Sequence, residues 1–232
     1  MTSNSKIVAF IYAHPDDETF GCSFWIRQIA DEGGNPILLS ATLGDAGKTG
    51  RLGQMTGEEL AVKREQELRN AAEILGLNEV AHLKLPDGKL KESDPVELRS
   101  SIAGFLQRHK AEIVVTFPED GISGHADHIV IHHAVNDVVF SEEVPSVQKL
   151  YYNCIRPVAK RSCIKLSAGR HWEVKRRALE CHESQVLSIE RAFGKIENMG
   201  PETFFPEYLM LAWERGEQFP HKTEASIYDD LK

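Results

Sequence analysis

Ile7–Tyr12 (IVAFIY) is a short, almost wholly apolar run. Alternating apolar and polar residues would mark a strand wet on one face, whereas an unbroken run of this length marks a strand covered on both. Thr19–Glu32 then carries apolar residues at helical spacing and ends at Gly33-Gly34, a helix stop. Pro36–Thr42 (PILLSAT) predicts a second strand, followed by a Gly-rich stretch from Gly44 to Gly57. Glu58–Leu75, rich in helix formers and closed by Gly76, predicts a long helix. Val80–Leu85 predicts a third strand and Pro86-Asp87-Gly88 a turn. Pro95–His109 predicts a helix with proline in its first turn. Ile113–Phe117 (IVVTF) predicts a fourth strand, with Pro118–Gly124 as a loop. Beyond this the pattern thins. Gln148–Cys154 reads as a strand and Trp172–Gln185 as a helix, and the tail from Gly200 is rich in proline and aromatics without an assigned element.

Strands alternating with helices predict an α/β fold: a Rossmann-like, mostly parallel, doubly wound sheet with helices on both faces. Ligands of such sheets bind beyond the carboxyl ends of the strands. No repeat, low-complexity segment or linker interrupts the chain. A single domain spanning residues 1–232 is expected, with about 1–140 as the core and about 141–232 completing a substrate cleft. The balance of 27 Lys plus Arg against 35 Asp plus Glu gives a net charge of −8. That argues against nucleic acid or an anionic membrane as the main partner. No apolar run approaches the ~20 residues that span a bilayer, and no signal-like segment precedes Ile7. A soluble, cytoplasmic protein is expected. Cys22, Cys154, Cys163 and Cys181 form no Cys-x-x-Cys pair and are expected to be reduced, mostly buried thiols.

Chemistry concentrates in two places. Ala13-His14-Pro15-Asp16-Asp17-Glu18 follows the first strand directly. Three adjacent carboxylates repel one another unless something positive neutralises them, and a divalent metal held by His and Asp does so. The plain alternative is a solvated acidic turn with His14 as a capping residue. The second cluster, Gly124-His125-Ala126-Asp127-His128 with His132-His133 beyond it, follows the fourth strand and its loop. His14, Asp17 and one imidazole of this cluster would make a His₂Asp set with a position open to water, the pattern of a catalytic metal. His128 and His132, at i and i+4 on a helix, are an alternative pair, though His132 and His133 read better as ordinary helix residues, one exposed and one packed. Thr42–Thr49 (TLGDAGKT) nearly matches a phosphate-cradling loop, but Thr42 replaces its first glycine and no helix starts at Lys48. A mobile loop flanking the site is the better reading.

Taken together, Ala13–Glu18 and Gly124–His128 resemble the PIG-L/LmbE-like family of zinc-dependent N-acetylglucosamine deacetylases. Thr42–Gly47 is similar to the family's Thr-x-Gly-Glu-x-Gly loop with Asp45 in place of Glu. Arg64, Glu67, Ala71 and Leu75-Gly76 fall at the family's helix spacing, and Lys175, Ala178-Leu179, His182 and Ser184-Gln185 resemble its late helix. The Leu-Pro-Asp-Gly turn at Leu85–Gly88 resembles the small Bacillus-type members, including those of bacillithiol synthesis. The resemblance implies His14, Asp17 and His128 as ligands of Zn²⁺, with Fe²⁺ or Co²⁺ as alternatives. It implies Asp16 as general base and later acid, and a protonated His125 as oxyanion stabiliser. Asp127 would orient an imidazole, that of His125, while Arg64 and Asp87 would face the substrate. For Arg64 the plain alternative is a helix-surface ion pair with Glu67. The implied reaction removes acetyl from an N-acetylglucosamine moiety, plausibly N-acetylglucosaminyl-malate, and the implied assembly is a homo-oligomer. The rivals are a metal-dependent amidase on a non-sugar amide and a metal- or nucleotide-binding protein without turnover. Trp172, Phe204, Phe205 and Trp213 read as core or a subunit contact.

Overall fold

A computed structural model describes residues 5–232. One sheet contains β1 (Ile7–Tyr12), β2 (Asn35–Thr42), β3 (Glu79–Leu85), β4 (Ile113–Thr116), β5 (Lys149–Cys154), β6 (Cys163–Leu166), β7 (Glu207–Glu214) and β8 (Glu217–Gln218). Its order is β3-β2-β1-β4-β5-β7-β6, with β8 paired to β7. The strands from β3 to β5 are mutually parallel, and β7 runs antiparallel to β5, β6 and β8. The helices are α1 (Asp17–Asp31), α2 (Gly57–Leu75), α3 (Pro95–His109), the single turn α4 (Gly121–Gly124), α5 (Ala126–Phe140), α6 (Trp172–Cys181) and α7 (Val186–Phe193). Helices α1, α2 and α6 pack on one another, while α3 packs on α5, so each face of the sheet has its own helical layer. The expected α/β, mostly parallel, doubly wound sheet is what forms.

The apolar run of β1 explains its place. Val8 to Tyr12 are at most 1% exposed because β2 and β4 flank the strand and helices cover it. Val8, Phe10 and Ile11 each contribute roughly 1.5–3 kcal/mol by leaving water. Helix α2 starts at a capping box: Thr56 Oγ1 accepts from Glu59 N–H at 3.2 Å, and Glu59 Oε2 accepts from Thr56 N–H at 2.8 Å. It stops at Gly76, whose φ of 83° is open to glycine at little cost. After β1 the chain winds out to β2 and β3, then returns to the other side of β1 as β4. The carboxyl ends of β1 and β4 therefore face the crevice where strand order reverses, the place such sheets bind ligands.

The last third is more regular than its pattern suggests. Strands β6, β7 and β8 and helix α7 lie where no element was expected, and α6 ends at Cys181 because His182 leaves the helical region (φ −87°, ψ 58°). Strand β7 pairs with β5 from more than fifty residues away, a partnership no local pattern announces. It also repairs a kink in α1. Cys22 departs from helical geometry (φ −139°), breaking the bond between Phe20 C=O and Phe24 N–H. Lys175 Nζ donates to the freed Phe20 carbonyl at 2.8 Å, and Glu207 Oε2 accepts from Phe24 N–H at 2.9 Å. The two side chains pair with each other at 2.8 Å. Glu207→Ala strands the buried ammonium and a backbone donor together. It is expected to lower the unfolding free energy by about 3–5 kcal/mol in urea titration; a loss under about 1 kcal/mol would show that the insertion is not holding α1.

Candidate metal centre and active site

The turn after β1 closes on itself. Asp17 Oδ2 accepts from His14 N–H at 2.8 Å, which brings the carboxylate to 3.5 Å from His14 Nδ1. From α5, His128 Nε2 comes within 3.2 Å of both His14 Nδ1 and Asp17 Oδ1. His128 donates its other ring N–H to Gly121 C=O at 3.0 Å and stacks on Phe117, with ring centroids 4.0 Å apart. That bond leaves the Nε2 lone pair facing the cluster. His14 Nε2 lies 3.0 Å from Asp87 Oδ1 and 3.2 Å from Asp127 Oδ2, and donating there frees its Nδ1 lone pair. Two imidazole lone pairs and the Asp17 carboxylate thus converge, Oδ1 towards His128 and Oδ2 towards His14. The 3.2 Å between His14 Nδ1 and His128 Nε2 suits one edge of a tetrahedron, about 1.6 times a metal–ligand bond of about 2.0–2.1 Å. The donor set fits a divalent metal. The carboxylates behind His14 are the arrangement that orients a ligating imidazole. Two further donor groups within 4.8 Å, His14/His125/His128 and His14/Asp87/Asp127, share His14.

Electrostatics follow this geometry. Burial alone would lower His14, but Asp127, Asp17 and Asp87 raise it well above the usual imidazole range. Burial would raise Asp17, yet His128 and His14 hold it far below the usual carboxylate range. Asp16 behaves differently. Burial pushes its pKa up to about 6 against the pull of Arg64. Its backbone sits at φ 137°, strained for a residue with a side chain, and both sides of its peptide are clamped. Arg64 Nη2 donates to Pro15 C=O at 2.6 Å and lies 3.2 Å from Asp16 Oδ2, while Glu18 Oε2 accepts from Asp16 N–H at 3.1 Å.

Several expected roles change. Asp127 was expected to orient His125, but residues two apart on a helix point to different faces. The fully buried Asp127 carboxylate instead serves His14 and accepts from Gly88 N–H at 2.8 Å and Leu90 N–H at 3.1 Å. His125 was expected to be protonated. Burial and the neighbouring imidazoles His14 and His128 push its pKa down. It caps α5, with Nδ1 accepting from Asp127 N–H at 3.2 Å, which places its proton on the exposed Nε2. Asp87, expected to meet substrate, is buried against His14 and accepts from Ala46 N–H at 3.1 Å. Arg64 is neither open to substrate nor a helix-surface residue: it is 3% exposed and reaches the crevice only through Asp16. Its Nη1 donates to Gly44 C=O at 3.1 Å, and a Cβ at Gly44, where φ is 70°, would push the guanidinium out of this place. Glu67 instead accepts from Ser184 N–H at 2.8 Å and Ser184 O–H at 2.6 Å. His132 turns away from the cluster, its ring nitrogens 2.9 Å from Phe117 O and 2.9 Å from Asn136 Nδ2. The Gly-rich loop is tethered through Lys48 C=O, which accepts from Gln185 Nε2–H at 2.8 Å. Behind Asp16, buried His182 Nε2 lies 3.3 Å from Glu18 Oε1, a partnership that spans most of the chain and that spacing could not reveal.

The family model PIG-L, described as GlcNAc-PI de-N-acetylase, matches residues 9–139, more than half of the chain. The chain belongs to this family, as the two His/Asp motifs led one to expect. It is 30% identical over 154 residues to a 1D-myo-inositol 2-acetamido-2-deoxy-alpha-D-glucopyranoside deacetylase of Kineococcus radiotolerans, covering 55% of this chain but only 43% of that enzyme. It is 26% identical over 221 residues to a probable N-acetyl-alpha-D-glucosaminyl L-malate deacetylase 2 of Bacillus cereus, covering 91% of this chain and 96% of that one. Among solved structures, 4-carboxy-2-hydroxymuconate hydratase (GalB) of Pseudomonas putida KT2440 superposes with a TM-score of 0.69 at 19% identity, over 90% of this chain and 97% of that one. That likeness speaks for the fold alone. Among the described residues no helix is long and apolar enough to cross a membrane.

Proposed function

We propose that this protein is a divalent-metal-dependent hydrolase that removes the acetyl group from an N-acetylglucosamine moiety. One observation carries the reading: the His14, Asp17 and His128 donors converge next to Asp16, a clamped carboxylate with a pKa of about 6. A pure binding site has no use for a strained extra carboxylate beside its ligands. A bound divalent ion would polarise the acetyl carbonyl and make water a stronger acid. Zinc suits the His₂Asp set, and iron or cobalt can share it. Asp16 takes the proton from the attacking water, then passes it to the amine as the C–N bond breaks. His125 donates its outward Nε2–H to the carbonyl oxygen as negative charge develops there. Asp127 and Asp87 hold the His14 ring in the tautomer that frees Nδ1. Arg64 keeps Asp16 in place and ionised rather than touching the sugar.

The Bacillus cereus relative, matched along nearly its whole length, makes N-acetylglucosaminyl-malate the first substrate to try. After metal removal and zinc reconstitution, amine and acetate release should be followed on N-acetylglucosaminyl-malate, N-acetylglucosamine and its β-1,4 dimer. Turnover of the malate conjugate above the other two is expected. Silence on all three, with metal bound, would sink the acetylated-sugar reading and leave an amidase on another substrate.

A further inference from the structure

Asp16 takes its direction from a single peptide unit. The Pro15–Asp16 peptide is held at its carbonyl by Arg64 Nη2, at 2.6 Å, and at its N–H by Glu18 Oε2, at 3.1 Å. With that plane fixed, the φ of 137° at Asp16 sets where its carboxylate points. If the plane were released, φ would fall back to the ordinary region and carry the carboxylate away from the donor cluster.

Glu18 is fully buried, so its carboxylate needs donors of its own. They come from Thr19 and His182, which are fully buried as well. The Thr19 hydroxyl donates to Glu18 Oε1. His182 Nε2 lies 3.2 Å from Thr19 Oγ1 and 3.3 Å from Glu18 Oε1. Because the Thr19 proton is committed to Glu18, the proton between Thr19 and His182 belongs to Nε2. The other ring nitrogen, Nδ1, has no hydrogen-bond partner among the described residues. A side chain kept for packing gains nothing from a buried nitrogen left unpaired, whereas one kept for its Nε2–H tolerates it. The backbone agrees: the chain leaves α6 at His182 and turns there (φ −87°, ψ 58°). Two residues on, Ser184 binds Glu67, one turn along α2 from Arg64. The same short segment therefore backs both halves of the clamp on Asp16.

We propose that His182 is a positioning residue for the catalytic carboxylate: through Glu18 it locks the Pro15–Asp16 peptide and so the direction of Asp16. It acts on the reaction only by this route. The inference rests on the deacetylase reading, because it takes Asp16 as the group that accepts the proton of water.

His182→Gln, His182→Asn and His182→Ala separate positioning from packing. Glutamine carries its amide nitrogen as many bonds from Cα as Nε2, whereas asparagine reaches only as far as Nδ1. In zinc-loaded protein the Asn and Ala variants are expected to lower kcat by about 10–100-fold, with KM within about twofold of wild type. Both should keep a full equivalent of zinc. His182→Gln should restore kcat to within about threefold of wild type. A Gln variant as slow as the Asn variant, Asn and Ala variants as fast as wild type, or a loss confined to KM would each overturn the proposal. Two NMR readouts need no turnover. Long-range ¹H–¹⁵N spectra of the wild type should place a proton on His182 Nε2; a proton on Nδ1 alone overturns the proposal even if no variant folds. The Asp16 amide should exchange with solvent about tenfold or more faster in His182→Asn than in His182→Gln; equal exchange overturns it too. If both NMR results appear and the wild type cuts no acetylated sugar, the clamp is supported and the deacetylase reading alone has failed.

Discussion

Asp16→Asn is expected to lower kcat by about 10²–10⁴-fold while the protein keeps a full equivalent of zinc, because asparagine fits the site but cannot accept the proton of the attacking water. Asparagine also tolerates positive φ better than most residues, so the strained turn at φ 137° should persist. Metal analysis and turnover measured on the same sample separate a lost base from a lost ion. Turnover within about tenfold of wild type would remove Asp16 from the base role. The pH profile gives an independent reading of the same carboxylate. A base must be ionised to act, so kcat/KM falls as pH drops through its pKa, which burial raises to about 6. A bound cation pulls in the same direction as Arg64, so the acidic limb of the loaded protein lies at or below that value. Arg64→Gln removes the largest opposing pull and should move the limb to higher pH. A limb that stays in place in Arg64→Gln would show that another group sets it.

The parts legible in the sequence were those written locally. β1 and α3 follow directly from a short apolar run and a Pro-led helix start, whereas α5 entered only as the condition under which His128 and His132 would share a face. His14 and Asp17 could be paired because they lie three positions apart in one tight turn. His128 could only be chosen by resemblance, since spacing alone did not separate it from His125 or from a pairing with His132. What separates them is rotation about the α5 axis and the Gly121 and Phe117 carbonyls, each of which engages one ring. The same reason misdirected Asp127: next to His125 in sequence, it faces the interior and His14. Arg64 and Asp87 were placed at the substrate by the family resemblance, which says nothing of how deeply each is buried. Burial under the 44–48 loop makes them supports for Asp16 and His14 instead. Strand β7 and the Lys175–Glu207 insertion were invisible, as both depend on partners far away along the chain.

His128→Ala is expected to abolish stoichiometric metal binding. His14 and Asp17 come from one turn and can hold an ion by themselves only as a two-donor site, so the third donor decides whether the site closes. Since His128 is anchored by Gly121 C=O and stacked on Phe117, its nitrogen is delivered in place by the fold, and no neighbour can simply swing in. Zinc titration should stabilise the wild type by about 2.7 kcal/mol at a free concentration of 100 Kd, and leave the variant's melting curve unchanged. Full occupancy in His128→Ala would instead point to His125, whose ring centroid lies 4.8 Å from that of His14. Asp127→Asn provides the graded comparison. It leaves all three donors in place and weakens only the hold on His14, so zinc affinity should drop about 10–100-fold rather than vanish. If the two variants lost metal equally, orientation of His14 would matter as much as the third donor. If Asp127→Asn had no effect, Asp87 alone would suffice to set the His14 tautomer.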